Sequence, residues 1–166
     1  NIIITGAGIP TNMPEFTKNF PDVALVPIVS SARALKLICK KWQRYNKIPD
    51  AVIVEGPLSG GHQGFKYEDC YKEEFQLENI VPPVIEEAKK WGDIPVIAAG
   101  GIWDKKDIDK FIALGCAGVQ MATRFIGTFE CDADPKFKDV LLNAKEEDIV
   151  LMSSPVGLPA RGVKTN

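Results

Sequence analysis

Pro95-Val96-Ile97-Ala98-Ala99-Gly100-Gly101-Ile102-Trp103-Asp104 runs from an apolar, strand-forming stretch through a glycine pair to a residue suited to capping a helix. The helix it predicts is Lys105 to Leu114. Asp104 is the N-cap, Asp107 takes the N3 position of a capping-box-like start, Ile108, Phe111 and Ile112 form the inner face, and Gly115 closes it. The stretch therefore reads as one strand–turn–helix unit.

The same unit recurs on both sides. Short apolar, β-branched runs stand at Ile2 to Thr5, Ala24 to Val29, Ala51 to Glu55 and Gly118 to Ala122, each bounded by Gly, Pro or Ser. None alternates as a half-solvated strand would, so all five runs read as parallel strands buried on both faces. Between them, Ser31 to Tyr45 places Leu35, Ile38, Cys39 and Trp42 on one helical face, with Ser30 or Ser31 as N-cap. Val84 to Trp91 follows Pro82-Pro83, which suits a helix start, and ends at Gly92.

Strand and helix in repeated alternation make an α/β domain. Two architectures satisfy the pattern: an open doubly wound sheet, or part of a (β/α)8 barrel. Both place chemistry at the C-terminal ends of the strands, and glycines crowd those ends here: Gly6 and Gly8, Gly56 to Gly64, and Gly100-Gly101.

Composition narrows the function classes. The chain has 166 residues, of which 45% are hydrophobic, enough for a real core, so the composition excludes disorder. A formal charge of −2 with scattered Lys and Arg gives no nucleic-acid surface. Cys39, Cys70, Cys116 and Cys131 are far apart, form no CxxC pair and are accompanied by a single histidine, so they read as reduced thiols rather than a disulfide framework or a metal site. No apolar run approaches the roughly 20 residues that span a bilayer. The expectation is a cytoplasmic protein, with no membrane partner. Asn1 in place of Met, directly before Ile2-Ile3-Ile4, predicts a piece of a longer chain.

The single histidine, His62, lies in Glu55-Gly56-Pro57-Leu58-Ser59-Gly60-Gly61-His62-Gln63-Gly64, after the third apolar run. Imidazole titrates nearest neutrality, so a histidine on a strand-end loop is placed to move protons; a plain loop histidine would only satisfy nearby carbonyls. Glu55 reads equally as an active carboxylate or as a loop cap. Gly100-Gly101 alone reads as a tight turn that needs positive φ. Followed by Gln120-Met121-Ala122-Thr123 at the next strand end, it becomes a phosphate constellation, because backbone N–H groups without a neighbouring Cβ can approach an anion closely. No GxGxxG fingerprint or Walker loop competes. Trp42, Trp91 and Trp103 read as core or helix-face packing.

Taken in order, Glu55 to Gly64, Pro95 to Ile102 and Gly118-Val119-Gln120-Met121-Ala122-Thr123-Arg124-Phe125 resemble the signatures of the nitronate monooxygenases, formerly 2-nitropropane dioxygenases. That family includes the flavin-dependent enoyl-acyl-carrier-protein reductases. Thr5-Gly6-Ala7-Gly8-Ile9-Pro10, Val26-Pro27-Ile28-Val29-Ser30-Ser31 and Ser154-Pro155-Val156-Gly157-Leu158-Pro159 carry the resemblance over essentially the whole chain.

The resemblance implies the C-terminal part, about strands 4–8, of a TIM (β/α)8 barrel, with residues 1–166 forming one partial FMN-binding domain. It implies that Gly100, Gly101, Gln120, Met121, Ala122 and Thr123 hold FMN, chiefly its phosphate. Glu55, Gly60 and Gly61 would lie near the flavin, with His62 as the catalytic residue facing substrate. Ala122 and Ala160 stand where the family usually has glycine, and the first substitution is compatible with an N–H contact if φ stays negative.

The reaction implied is oxidation of a nitronate to a carbonyl compound and nitrite with O2. The alternative within the family is NAD(P)H-dependent reduction of an enoyl thioester. A phosphate-binding barrel of the inosine-monophosphate dehydrogenase type would need a catalytic cysteine loop, which the chain lacks. A fourth reading, from another class, is an inactive folding or interaction module. The partners implied are a small-molecule substrate and either a homo-oligomer or pairing with the missing barrel strands.

Overall fold

The computed structural model describes residues 1–6 and 8–165, so Ala7 of the first glycine segment lies outside the described residues. In chain order the strands are β1 (Ile2–Thr5), β2 (Ala24–Val29), β3 (Val52–Glu55), β4 (Gly61–His62), β5 (Val96–Ala99), β6 (Gly118–Gln120), β7 (Ile149–Ser153) and β8 (Pro159–Val163). The helices are α1 (Met13–Phe16), α2 (Ala32–Trp42), α3 (Leu77–Lys89), α4 (Lys105–Ala113), α5 (Thr123–Ile126) and α6 (Pro135–Asn143).

All five predicted runs are strands of one sheet, ordered β1-β2-β3-β5-β6, and every pair is parallel. The order follows the chain without reversal. A doubly wound sheet must reverse to bring helices to both faces. Here the connections between sequential neighbours bring α2, α3 and α4 into one core on a single face, which is the winding of a barrel wall.

That face holds the main core. Leu35, Ile38, Cys39 and Trp42 of α2 pack with Val52 and Val54 of β3, Val81 and Val84 of α3, and Ala98 of β5. The opposite face carries a smaller cluster, Val26, Ile53 and Ala99, with Ile28, Ala51 and Ile97 beside it. Beyond them lies an apolar hollow of about 510 Å³ walled by Ile4, Ile53, Ile97 and Phe125. Burial on both faces thus holds for the central strands. On the edge strand β1, Ile2 and Ile4 remain 67% and 54% exposed.

Local rules account for two of the helices. Ser31 Oγ accepts from Ala34 N–H and starts α2. The capping box of α4 is complete: Asp104 accepts from Asp107 N–H, and Asp107 accepts from Asp104 and Trp103 N–H. Phe111 is buried as expected, but Ile112 is 46% exposed, because α4 packs chiefly on the edge strand β6 and its flank has no neighbour to cover it.

The expected start of α3 is corrected. The helix begins at Leu77, with Pro82 and Pro83 inside it rather than before it. Two lost N–H donors cost several kcal/mol, about 3 or more for each internal proline. Against that, Leu77, Ile80 and Val81 continue the Val84 and Ala88 face and are buried, at about 1.5–3 kcal/mol for each large side chain. The first turn runs from Gln76, whose carbonyl accepts from Asn79 and Ile80 N–H.

A second sheet, ordered β4-β8-β7 and antiparallel, had no sequence expectation. Its hairpin closes through Ser154-Pro155-Val156-Gly157, where Gly157 N–H donates to Ser154 O and Gly157 has φ +81°. Proline at the second turn position and glycine in the left-handed region are what such a turn demands.

Candidate active site

The predicted residues gather at the C-terminal edge of the parallel sheet. Glu55 pairs with Ala99, and Ala99 with Gln120, so the three form one row across β3, β5 and β6. Period-two alternation puts that row on the sheet face opposite the main helices, together with Ile53 and Ile97. At the usual strand spacing Glu55 and Gln120 flank the small Ala99 about 10 Å apart. Glu55 is half-buried, and desolvation pushes its carboxyl above the usual range.

Gly100 and Gly101 have φ of +100° and +76°, so the turn needs glycine for its backbone alone. It needs it for packing as well. A Cβ at Gly100 would lie 3.0 Å from Gly56 O and from Ser59 N, and one at Gly101 would lie 2.9 Å from Leu58 Cδ1. The loop after β3 is thus seated directly on the turn after β5. The backbone N–H groups of Gly100, Gly101, Ala122 and Thr123 find no acceptor among the described residues, and α5 has no side-chain cap. Donors left open at two adjacent strand ends suit an anion. Ala122 keeps a negative φ of −125°, compatible with such a contact despite its methyl group.

The last predicted strand ends at Gln120 rather than Ala122, leaving Met121 and Ala122 in the connection to α5. Met121 is half-buried, packs against the main core and lines the hollow. Trp42 is core and Trp91 bonds Glu87, whereas Trp103 is 51% exposed with the Arg124 guanidinium 4.9 Å above its ring, bridging the loops after β5 and β6.

His62 stands outside the parallel sheet, on β4. It pairs with Ala160 of β8, its neighbour Gly61 with Arg161, and its side chain is exposed. Gly60 and Gly61 have open space where a Cβ would be. The loop is tied down elsewhere. Gln63, 1% exposed, donates through Nε2 to Ser59 O at 2.6 Å and accepts from Ser59 Oγ, while its N–H donates to Pro159 O at 2.8 Å. Arg161 Nε donates to Pro57 O at 2.9 Å, and Tyr67 OH to Leu151 O at 3.1 Å. Sequence patterns give Gln63 and Arg161 no individual role and do not pair β7 with β8, although the segment from Ser154 to Arg161 stands out; the turn-forming Pro155-Val156-Gly157 is the available signal.

The structure is thus an α/β domain whose sequentially wound parallel sheet carries a histidine loop and open N–H donors at the C-terminal ends of its strands. The family model for nitronate monooxygenase matches residues 1–166, and the chain belongs to that family. A probable nitronate monooxygenase of Staphylococcus aureus (strain Newman) is 35% identical over 119 residues, 69% of this chain and 31% of that protein.

Among solved structures, FabK from Thermotoga maritima superposes with a TM-score of 0.79 at 32% identity, over 99% of this chain and 46% of its own. The nitroalkane oxidase of Streptomyces ansochromogenes, at 24% identity and a TM-score of 0.75, shares the fold; 98% of this chain covers 45% of that one. The chain therefore spans less than half the length of these relatives.

Proposed function

We propose that this chain carries the cofactor-binding and proton-handling edge of an FMN-dependent oxidoreductase that oxidises nitronates to a carbonyl compound and nitrite, using O2. The observation that supports it most is the seating of Pro57-Leu58-Ser59 on Gly100-Gly101, which joins the histidine loop to the row of open N–H donors. The sheet is inferred to be one wall of a (β/α)8 barrel, since its strands follow in order and its helices share one face.

The open donors of Gly100, Gly101, Ala122 and Thr123 fit a phosphate dianion, which accepts several N–H bonds at once. FMN bound there would supply a two-electron acceptor that O2 can reoxidise. The chain's own residues divide the remaining work. His62, exposed on β4, holds the nitronate anion or takes the proton α to a nitro group. Glu55 and Gln120 flank Ala99 on the sheet face that carries the hollow, and Gln120 lines it. Desolvation pushes the half-buried Glu55 carboxyl above the usual range, and its oxygens offer hydrogen-bond acceptors at that edge.

A second reading is favoured by one observation: the likeness to FabK is higher in identity and TM-score than that to the nitroalkane oxidase. In that reading the same site takes an enoyl thioester and NAD(P)H. A visible spectrum of the purified protein with added FMN, followed by anaerobic titration, separates the two. Bleaching by a nitronate supports the first reading, bleaching by NADH alone supports the second, and the absence of flavin binding rejects both.

A further inference from the structure

We infer that Arg161 is a positioning residue for His62, and that the β7–β8 hairpin is part of the active site. For its link to turnover this rests on the reading of His62 as the proton-handling group. The positional claim stands on geometry alone.

The bonds around His62 close a ring. From β8, Pro159 O accepts from Gln63 N–H at 2.8 Å; the Gln63 side chain reaches back to Ser59 O at 2.6 Å; and two residues upstream Pro57 O accepts from Arg161 Nε at 2.9 Å, which returns to β8. His62 lies on the short stretch between Ser59 and Gln63 that this ring ties down. The ladder holds its backbone through Gly61 opposite Arg161 and His62 opposite Ala160. Gln63 N–H donating to Pro159 O marks a hydrogen-bonded position, so alternation makes His62–Ala160 a closely spaced pair whose side chains share a face. Arg161 projects to the other face and acts through the Pro57 carbonyl rather than on the imidazole.

Two features make this bond more than loop decoration. It spans 104 residues of sequence, and β4 is only two residues long, too short to hold register alone. The carbonyl it grips belongs to the segment that sits on Gly100-Gly101, with Leu58 against Gly101 and Ser59 against Gly100. A guanidinium donor, always charged, holds a carbonyl more strongly than a neutral donor. Arg161 thus ties the histidine to the donor turn, and its removal lets the loop slide against both.

The chain's single histidine makes the test direct, because its imidazole Cε1–H gives one signal with no second histidine of this chain to confuse it. In the FMN-loaded protein, Arg161→Ala should split or broaden the one sharp His62 signal and lower kcat for a nitronate about tenfold, the scale of a loosened catalytic group, with KM changed less than about twofold. Arg161→Lys, which can still donate to Pro57 O, should restore a single signal and much of kcat. If Arg161→Ala does not fold, Arg161→Met keeps the stem, drops the donor and takes its place.

An unchanged His62 signal in the donor-less variant overturns the proposal, whether kcat falls or not. A perturbed signal with full turnover supports the positioning and instead removes His62 from the chemistry. Should the wild-type protein fail to bind FMN, the same NMR comparison without flavin still decides the positional claim.

Discussion

The two faces of the parallel sheet are made from the same strands, yet they differ in kind. On the helix side Val52 and Val54 of β3 are wholly buried among Leu35, Ile38, Trp42 and Val81. On the other side Ile53 of β3 faces the hollow, and Glu55 lies in one row with Ala99 and Gln120. Alternation along one four-residue strand therefore separates the side chains of the helix-side core from those of the candidate site. A residue's parity matters more here than its position in the chain, and the candidate site lies where the second face meets the strand ends.

The sharpest break of that comparison is His62→Ala. Its side chain is exposed on β4, so stability should stay within about 0.5 kcal/mol while turnover falls on the order of 10²–10⁴-fold. Chemical denaturation beside steady-state kinetics checks both arms, and a retained rate removes His62 from the mechanism.

Trp42→Ala is the mirror case. Fully buried on the helix side and bonded through Nε1 to Pro10 O, it should cost about 3–5 kcal/mol of unfolding free energy. The urea midpoint reads it, and a loss below about 1 kcal/mol would mean that the helix-side core does not carry the stability assigned to it.

Gly100→Ala probes the seam between the two. With φ +100° and backbone atoms 3.0 Å from the new Cβ, it should cost about 1–3 kcal/mol and displace the loop at Ser59 as well. Flavin affinity should fall by an order of magnitude or more in the same variant. Unaltered affinity would place the phosphate elsewhere.

The smallest effect belongs to Glu55→Gln. Burial raises the folded-state pKa of Glu55 above its ordinary value, so the wild-type protein loses stability as pH rises from the ordinary carboxylate range through that raised value. The variant should match wild type in acid and be the more stable of the two above that window. Denaturation midpoints across pH check the sign, and an advantage at acid pH instead would reverse the reading of Glu55 as a desolvated carboxyl.

Much of this was legible before any coordinates. The five strands and the caps at Ser31 and Asp104 follow from local rules, because hydrophobic runs and N-cap bonds involve residues within four positions of one another. The extent of α3 was not legible, since Pro82-Pro83 speaks locally for a boundary and only the buried Leu77, Ile80 and Val81 overrule it. Trp103 has a local pattern that speaks for packing, and only the tertiary structure shows its exposed setting beside Arg124. Arg161 was passed over because its partner, Pro57, lies 104 residues away.

By itself the sequence determined the class of unit, strand then glycine turn then helix, and the identities gathered at its edge: His62, Glu55, Gly100-Gly101 and Gln120 to Thr123. Local conformational energies and side-chain chemistry suffice for that. Only the tertiary structure decided that the strands wind in order with helices on one face, that Glu55 and Gln120 share a row across Ala99, and that a distant hairpin holds the histidine. Those are matters of register and long-range contact, set by the packing of surfaces that no local pattern brings together.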